Sequence, residues 1–149
     1  MRTTSGAPDN PSDLREELAP RLRWAITRTA RRLRQEAGTD LGPSQVAALA
    51  TVERRGPLSP SELAEIERIK RPTATRIVGH LEAAGLVERV KDPEDGRASI
   101  LSITREGRRL LKRLRERKTA YLATRLDRLG AEDRRTLERA AELLEGMLE

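Results

Sequence analysis

The chain has 149 residues, with 30 Lys and Arg against 24 Asp and Glu and a formal net charge of +6. That is enough for one domain, or one domain with added helices, and it favours an acidic partner such as nucleic acid. Cysteine is absent, which excludes disulfides, thiolate metal sites and cysteine redox sensing.

The basic residues are grouped. Arg21 to Arg34 carries six arginines and no acid, Arg68 to His80 carries four Lys/Arg and no acid, and Arg105 to Lys118 carries eight basic residues against Glu106 and Glu116. Genomic base composition alone can raise arginine and alanine content, so this distribution says more than the total. No apolar run approaches the roughly 20 residues of a membrane span. No apolar core follows the first residues, as a secretory signal would require. A soluble cytoplasmic protein with no membrane partner is expected.

Residues 1–12 are rich in Pro, Ser, Gly and Asn and are expected to form a flexible tail. Leu14, Leu18, Leu22, Ile26, Thr29 and Leu33 recur at helical spacing and predict a first helix ending at Gly38. Trp24 falls on its opposite side with Arg28 and Arg31. Pro43 opens a second helix bearing Val46, Leu49 and Val52, which Gly56-Pro57 stops.

Ser59-Pro60-Ser61-Glu62 has the capping-box order, with Leu63 and Ile66 expected as the buried side of a short third helix. A basic turn, Arg68-Ile69-Lys70-Arg71, precedes a helix started by Pro72. Its apolar stripe is Ala74, Ile77, Val78, Leu81 and Ala84, and Gly85 ends it. Leu86 to Val90 and Ser99 to Ile103 read as two strands joined by a loop from Lys91 to Arg97. Thr104 caps a long helix carrying Leu110, Leu111, Leu114, Tyr121, Leu122, Leu126 and Leu129. After Gly130 a last helix aligns Leu137, Ala141, Leu144 and Leu148.

The expected fold is mainly α with a small β wing. A winged helix-turn-helix spans residues 38–103, flanked by terminal helices over 13–37 and 104–149. Two short helices followed by a charged hairpin form a DNA-reading unit, in which the second helix enters the major groove. On that helix, counting 100 degrees per residue turns Pro72, Arg76, Gly79 and Ala83 outward, with Thr73, Thr75 and His80 beside them. Arg76 suits a guanine edge or a phosphate, and the threonines suit phosphate oxygens and thymine methyls. Lys70 and Arg71 sit at the helix start, where dipole and charge both favour phosphate. Arg89 is a candidate for a phosphate or a nearby acid.

Trp24 and Tyr121 are the only aromatics. A core of Leu, Ile, Val and Ala leaves the apolar stripes of the terminal helices with little to cover them. A second copy would bury them, making a homodimer. The alternative is an intramolecular bundle of the first, fifth and sixth helices. Trp24 on a basic face has two readings: packing against another surface, or an aromatic-anion pocket in which Arg28 or Arg31 supplies charge.

Ile69-Lys70-Arg71-Pro72-Thr73-Ala74-Thr75-Arg76-Ile77-Val78, with Leu81-Glu82-Ala83-Ala84-Gly85-Leu86-Val87-Glu88-Arg89, resembles the recognition helix and first wing strand of the MarR (multiple antibiotic resistance regulator) family. Asp92-Pro93-Glu94-Asp95-Gly96-Arg97-Ala98-Ser99 and Leu101-Ser102-Ile103-Thr104-Arg105-Glu106-Gly107-Arg108 resemble that family's wing signature and the start of its fifth helix. The resemblance implies a homodimeric transcription regulator, usually a repressor on a pseudo-palindromic site, whose DNA affinity is often lowered by a small ligand. It implies dimerisation through the first, fifth and sixth helices. It also implies that Arg97 inserts into the minor groove with an aspartate, here Asp95, orienting it. His80 departs from the pattern, since the family often has arginine there.

An enzyme is not expected. There is one histidine, no phosphate-cradling glycine loop and no metal-ligand spacing, and no cofactor is implied. The competing reading is a non-specific architectural DNA-binding protein.

Overall fold

The computed structural model describes residues 11–148, so the tail expectation for residues 1–10 lies outside the described residues. The elements run α1 (Pro11–Ala37), α2 (Pro43–Arg55), α3 (Pro60–Ile66), α4 (Arg71–Ala83), β1 (Val87–Lys91), β2 (Ser99–Ile103), α5 (Arg105–Leu126) and α6 (Ala131–Gly146). Pro11 and Ser12, expected in the tail, open α1 instead.

Local signals explain most boundaries. Ser59 accepts from the Glu62 N–H at 3.2 Å, and the Glu62 carboxylate accepts from the Ser59 N–H at 2.7 Å. Below α4, Gly85 takes the left-handed conformation at φ +69, its N–H bonds the Glu82 carbonyl, and the Leu86 N–H bonds the Leu81 carbonyl. This closure satisfies carbonyls the helix would otherwise leave free. The Thr104 side chain caps α5 by accepting from the Gly107 N–H at 3.1 Å and donates to the Gly85 carbonyl at 2.7 Å.

The core lies in the central module. Leu49 and Val52 of α2, Leu63 of α3, Val78 and Leu81 of α4, Leu101 of β2 and Leu111 of α5 are buried together. Two sequence expectations fail at its edge. Ile66 is 45% exposed, because Leu63 and Ala64 form the buried side of α3. Ala84 is exposed, because it lies past the end of α4 as its C-cap.

β1 and β2 pair antiparallel, Val87 opposite Ile103 and Lys91 opposite Ser99. Lys91 is therefore strand rather than loop, and Leu86 belongs to the turn before β1. Leu58 adds a bridge on the outer side of β2, exchanging both backbone hydrogen bonds with Leu101.

α1 packs on α5. Arg117 of α5 caps the end of α1, donating to the Ala37 carbonyl at 2.9 Å and the Gly38 carbonyl at 3.2 Å. α6 buries no side chain, so α1, α5 and α6 do not form a closed bundle within one copy. Among the described residues no helix is long and apolar enough to cross a membrane.

Candidate nucleic-acid interface

The face that would meet DNA is built from the turn before α4, the outer side of α4 and the wing. α3 ends in an unusual closure. Arg68 adopts φ +53, its N–H bonds the Glu65 carbonyl, and the Ile69 N–H bonds the Ala64 carbonyl. Glycine normally occupies this left-handed position. The turn swings the chain into α4 with Lys70 as N-cap, Arg71 as the first helical residue and Pro72 following it. Lys70 makes no side-chain cap bond, so amide N–H groups of the first turn stay open.

α4 buries Ala74, Ile77, Val78 and Leu81 and leaves Arg71, Pro72, Thr75, Arg76, Gly79 and His80 exposed, with Thr73 half-buried. Thr75 donates its hydroxyl proton to the Arg71 carbonyl at 3.0 Å. Its methyl and lone pairs are what remain to offer, so the expectation of Thr75 as a phosphate donor does not fit this rotamer. His80 is engaged by Gln45 of α2, with 2.8 Å between Gln45 Nε2 and His80 Nδ1.

Two other cations, Arg89 on β1 and Arg115 on α5, are neutralised. Arg89 pairs with Glu82 at 2.8 Å, which gives it the nearby acid of its two alternatives. Arg115 on α5 pairs with Glu53 of α2, and that bond holds the guanidinium pKa above its ordinary value. Among the described residues, Lys70, Arg71, Arg76, Lys91 and Arg97 have no carboxylate within 4 Å. Their charge is free for a polyanion.

In the wing, Asp92 accepts from the Glu94 N–H at 2.9 Å and Asp95 accepts from the Arg97 N–H at 3.0 Å. The acids in this loop thus shape the backbone turn. Asp95, expected to orient Arg97, holds its main chain through this bond.

Of the expected ligand residues, Trp24 and Arg28 come together and Arg31 lies apart. Trp24 is 60% exposed, with the Arg28 guanidinium 4.9 Å from its ring centroid. Arg31 instead lines a cavity of about 740 Å³ between α1, α2 and α5, together with Arg34, Leu41, Val46, Leu114 and Lys118. Seven residues separate Trp24 from Arg31, roughly 10 Å of helix rise, and that carries them to different neighbours. Lys118 and Arg34 were missed by sequence reasoning, since α5 meets α1 only in three dimensions.

A winged helix-turn-helix with an open basic recognition face defines a DNA-binding protein. The model of the MarR family matches residues 39–98. An HTH-type transcriptional regulator of Mycobacterium bovis is 35% identical over 128 residues, covering 85% of this chain and 90% of its own. A solved transcriptional regulator structure from Pseudomonas aeruginosa superposes with a TM-score of 0.82 at 32% identity, covering 94% of this chain and 98% of that one. A MepR mutant of S. aureus bound to an oligodeoxyribonucleotide shares the fold, with a TM-score of 0.60 at 17% identity, covering 95% of this chain and 100% of that one. The chain belongs to the MarR family and is a DNA-binding transcriptional regulator.

Proposed function

We propose that this chain is a homodimeric, cytoplasmic repressor that binds a pseudo-palindromic site on double-stranded DNA and is released by a small aromatic or anionic effector. The observation that carries the DNA reading is the set of unneutralised cations at Lys70, Arg71, Arg76 and Arg97 on one helix start and one wing. Arg76 grips a guanine edge, Thr73 and the Thr75 methyl meet neighbouring groups, and Lys70, Arg71 and the open α4 amides bind phosphate beside Pro72. Arg97 enters the minor groove from a turn that Asp95 stiffens.

Residues 13–37 and 104–149 serve as dimerisation helices and residues 38–103 as the DNA-binding unit. The support is unspent apolar surface: Leu14, Leu18 and Ile26 on α1 and Leu137 and Leu143 on α6 are exposed. Burying them against the same helices of a second copy contributes about 25 cal/mol per Å². The cavity lined by Arg31, Arg34 and Lys118 suits an anion with an apolar body. It lies where the dimer helices meet the DNA-binding unit, so a ligand preferring one spacing of the recognition helices shifts their population. Trp24 and Arg28 lie outside it and pack at the dimer surface.

Selection from a random-sequence duplex pool, with sedimentation of the free protein, tests this reading. An enriched inverted repeat bound by a dimer is expected. A monomer, or retention of all sequences alike, would remove the regulator reading in favour of an architectural one.

A further inference from the structure

His80 is the only histidine of the chain and stands exposed on α4, four residues after Arg76. Gln45, in the first turn of α2, reaches it across a small groove that Ser44, Thr73 and Arg76 also line. Which group donates is not settled by that contact alone, since an amide and an imidazole can each face either way. The other end of Gln45 settles it. Gln45 Oε1 lies 2.9 Å from the backbone nitrogen of Gly42, and an N–H can only donate. The atom facing Gly42 must be the amide oxygen. The atom facing His80 is then the NH₂ group, which has no acceptor capacity. His80 Nδ1 must therefore carry a lone pair, and the ring proton sits on Nε2.

We infer that Gln45 is a positioning residue for DNA reading, fixing His80 in the Nε2–H tautomer so that the ring presents a donor beside Arg76. This rests on α4 being the helix that meets DNA. The acceptor it suits is a guanine N7 or O6, or a phosphate oxygen. An arginine would bring a fork of donors and a fixed charge. His80 brings one donor whose direction is set by a residue 35 positions away. The carboxylates of neighbouring elements are engaged elsewhere: Glu82 by Arg89, Glu62 in its capping box and Glu67 by Thr51.

The single histidine makes the test direct. The full chain, labelled with ¹⁵N-histidine, is read by long-range ¹H–¹⁵N correlation as wild type, Gln45→Ala and Gln45→Glu. Wild type is expected to show the Nε2–H tautomer alone, and Gln45→Ala a mixture. Gln45→Glu keeps an acceptor for Gly42, so its thermal midpoint holds, but it cannot donate and draws the ring proton to Nδ1.

On a duplex carrying the inverted repeat that wild type selects, His80→Ala binds about fivefold more weakly, the worth of one hydrogen bond, and Gln45→Ala about twofold more weakly, since the donor tautomer stays about half populated. The double variant binds no worse than His80→Ala. An Nδ1–H tautomer in wild type, full affinity in Gln45→Ala, or additive losses in the double variant would overturn the inference. A wild type that selects no repeat would sink the regulator reading and the DNA half of this inference, while the spectra still judge the Gln45 half.

Discussion

Gly107 sits in the first turn of α5, where the Thr104 cap brings the helix against the end of α4. A methyl group there would lie 2.3 Å from the Leu86 carbonyl oxygen and 2.8 Å from Ile103 Cγ1. The first contact is about 1 Å shorter than ordinary van der Waals packing and falls on backbone, which cannot rotate away. Overpacking of this kind costs about 1–3 kcal/mol, while replacing a helical glycine by alanine returns up to about 1 kcal/mol. Gly107→Ala is therefore expected to destabilise the fold by about 1–2 kcal/mol. Gly79→Ala is the internal control. Its methyl would meet nothing within 4 Å, so the same substitution is expected to stabilise by about 0.5–1 kcal/mol. Urea unfolding of both at one protein concentration measures this. Equal signs for the two variants, or a Gly107→Ala change below about 0.5 kcal/mol, would refute the packing argument.

Arg68→Gly relieves a left-handed residue and is expected to raise stability by about 0.5–1 kcal/mol in the same assay, although it removes a surface cation. The pKa of Glu62 is held below its ordinary value by the Ser59 backbone N–H and then by the Ser59 hydroxyl. Because the folded value is the lower one, the stabilisation is present above the ordinary carboxylate range and fades as acid takes pH down through it. Glu62→Gln should flatten that acid-side slope, and Ser59→Ala, which removes only the hydroxyl, should bring the Glu62 titration seen by NMR part of the way back up. Thr51→Val keeps the shape of a buried side chain but removes its hydrogen bond to the half-buried Glu67 carboxylate, so a loss of about 0.5–1.5 kcal/mol is expected on unfolding. Lys118→Ala and Arg31→Ala, which remove two of the three cations lining the cavity between α1, α2 and α5, are expected to weaken calorimetric binding of small aromatic carboxylates at least about tenfold while leaving DNA affinity unchanged.

Local chemistry was the part most legible in the sequence. Ser59, Thr104 and Gly85 each act through bonds to residues within a few positions, so serine, threonine and glycine at those places announce helix ends directly. The outward side of α4 followed from periodicity, because Ile77, Val78 and Leu81 repeat at helical spacing and are buried. What escaped depends on distant partners. The Leu58 bridge to Leu101 is one residue long and leaves no alternation to read. Ile66 looked like core because the turn at Arg68, which shortens α3, carries no glycine to mark it. Among the site residues, Arg76 and Arg97 lie on exposed surfaces where pattern suffices. Gln45, Arg34 and Lys118 enter through contacts between helices far apart in sequence.

The central claim is that α4 reads sequence and the wing adds affinity. It is tested most directly by the affinities of wild type, Arg76→Ala and Arg97→Ala for the selected inverted repeat and for random duplex, at two salt concentrations. Arg76→Ala is expected to lose about 1–3 kcal/mol per half-site on the selected repeat and far less on random duplex. Arg97→Ala should weaken both, with a shallower salt dependence. Equal losses for Arg76→Ala on both duplexes, or none on either, would contradict the account.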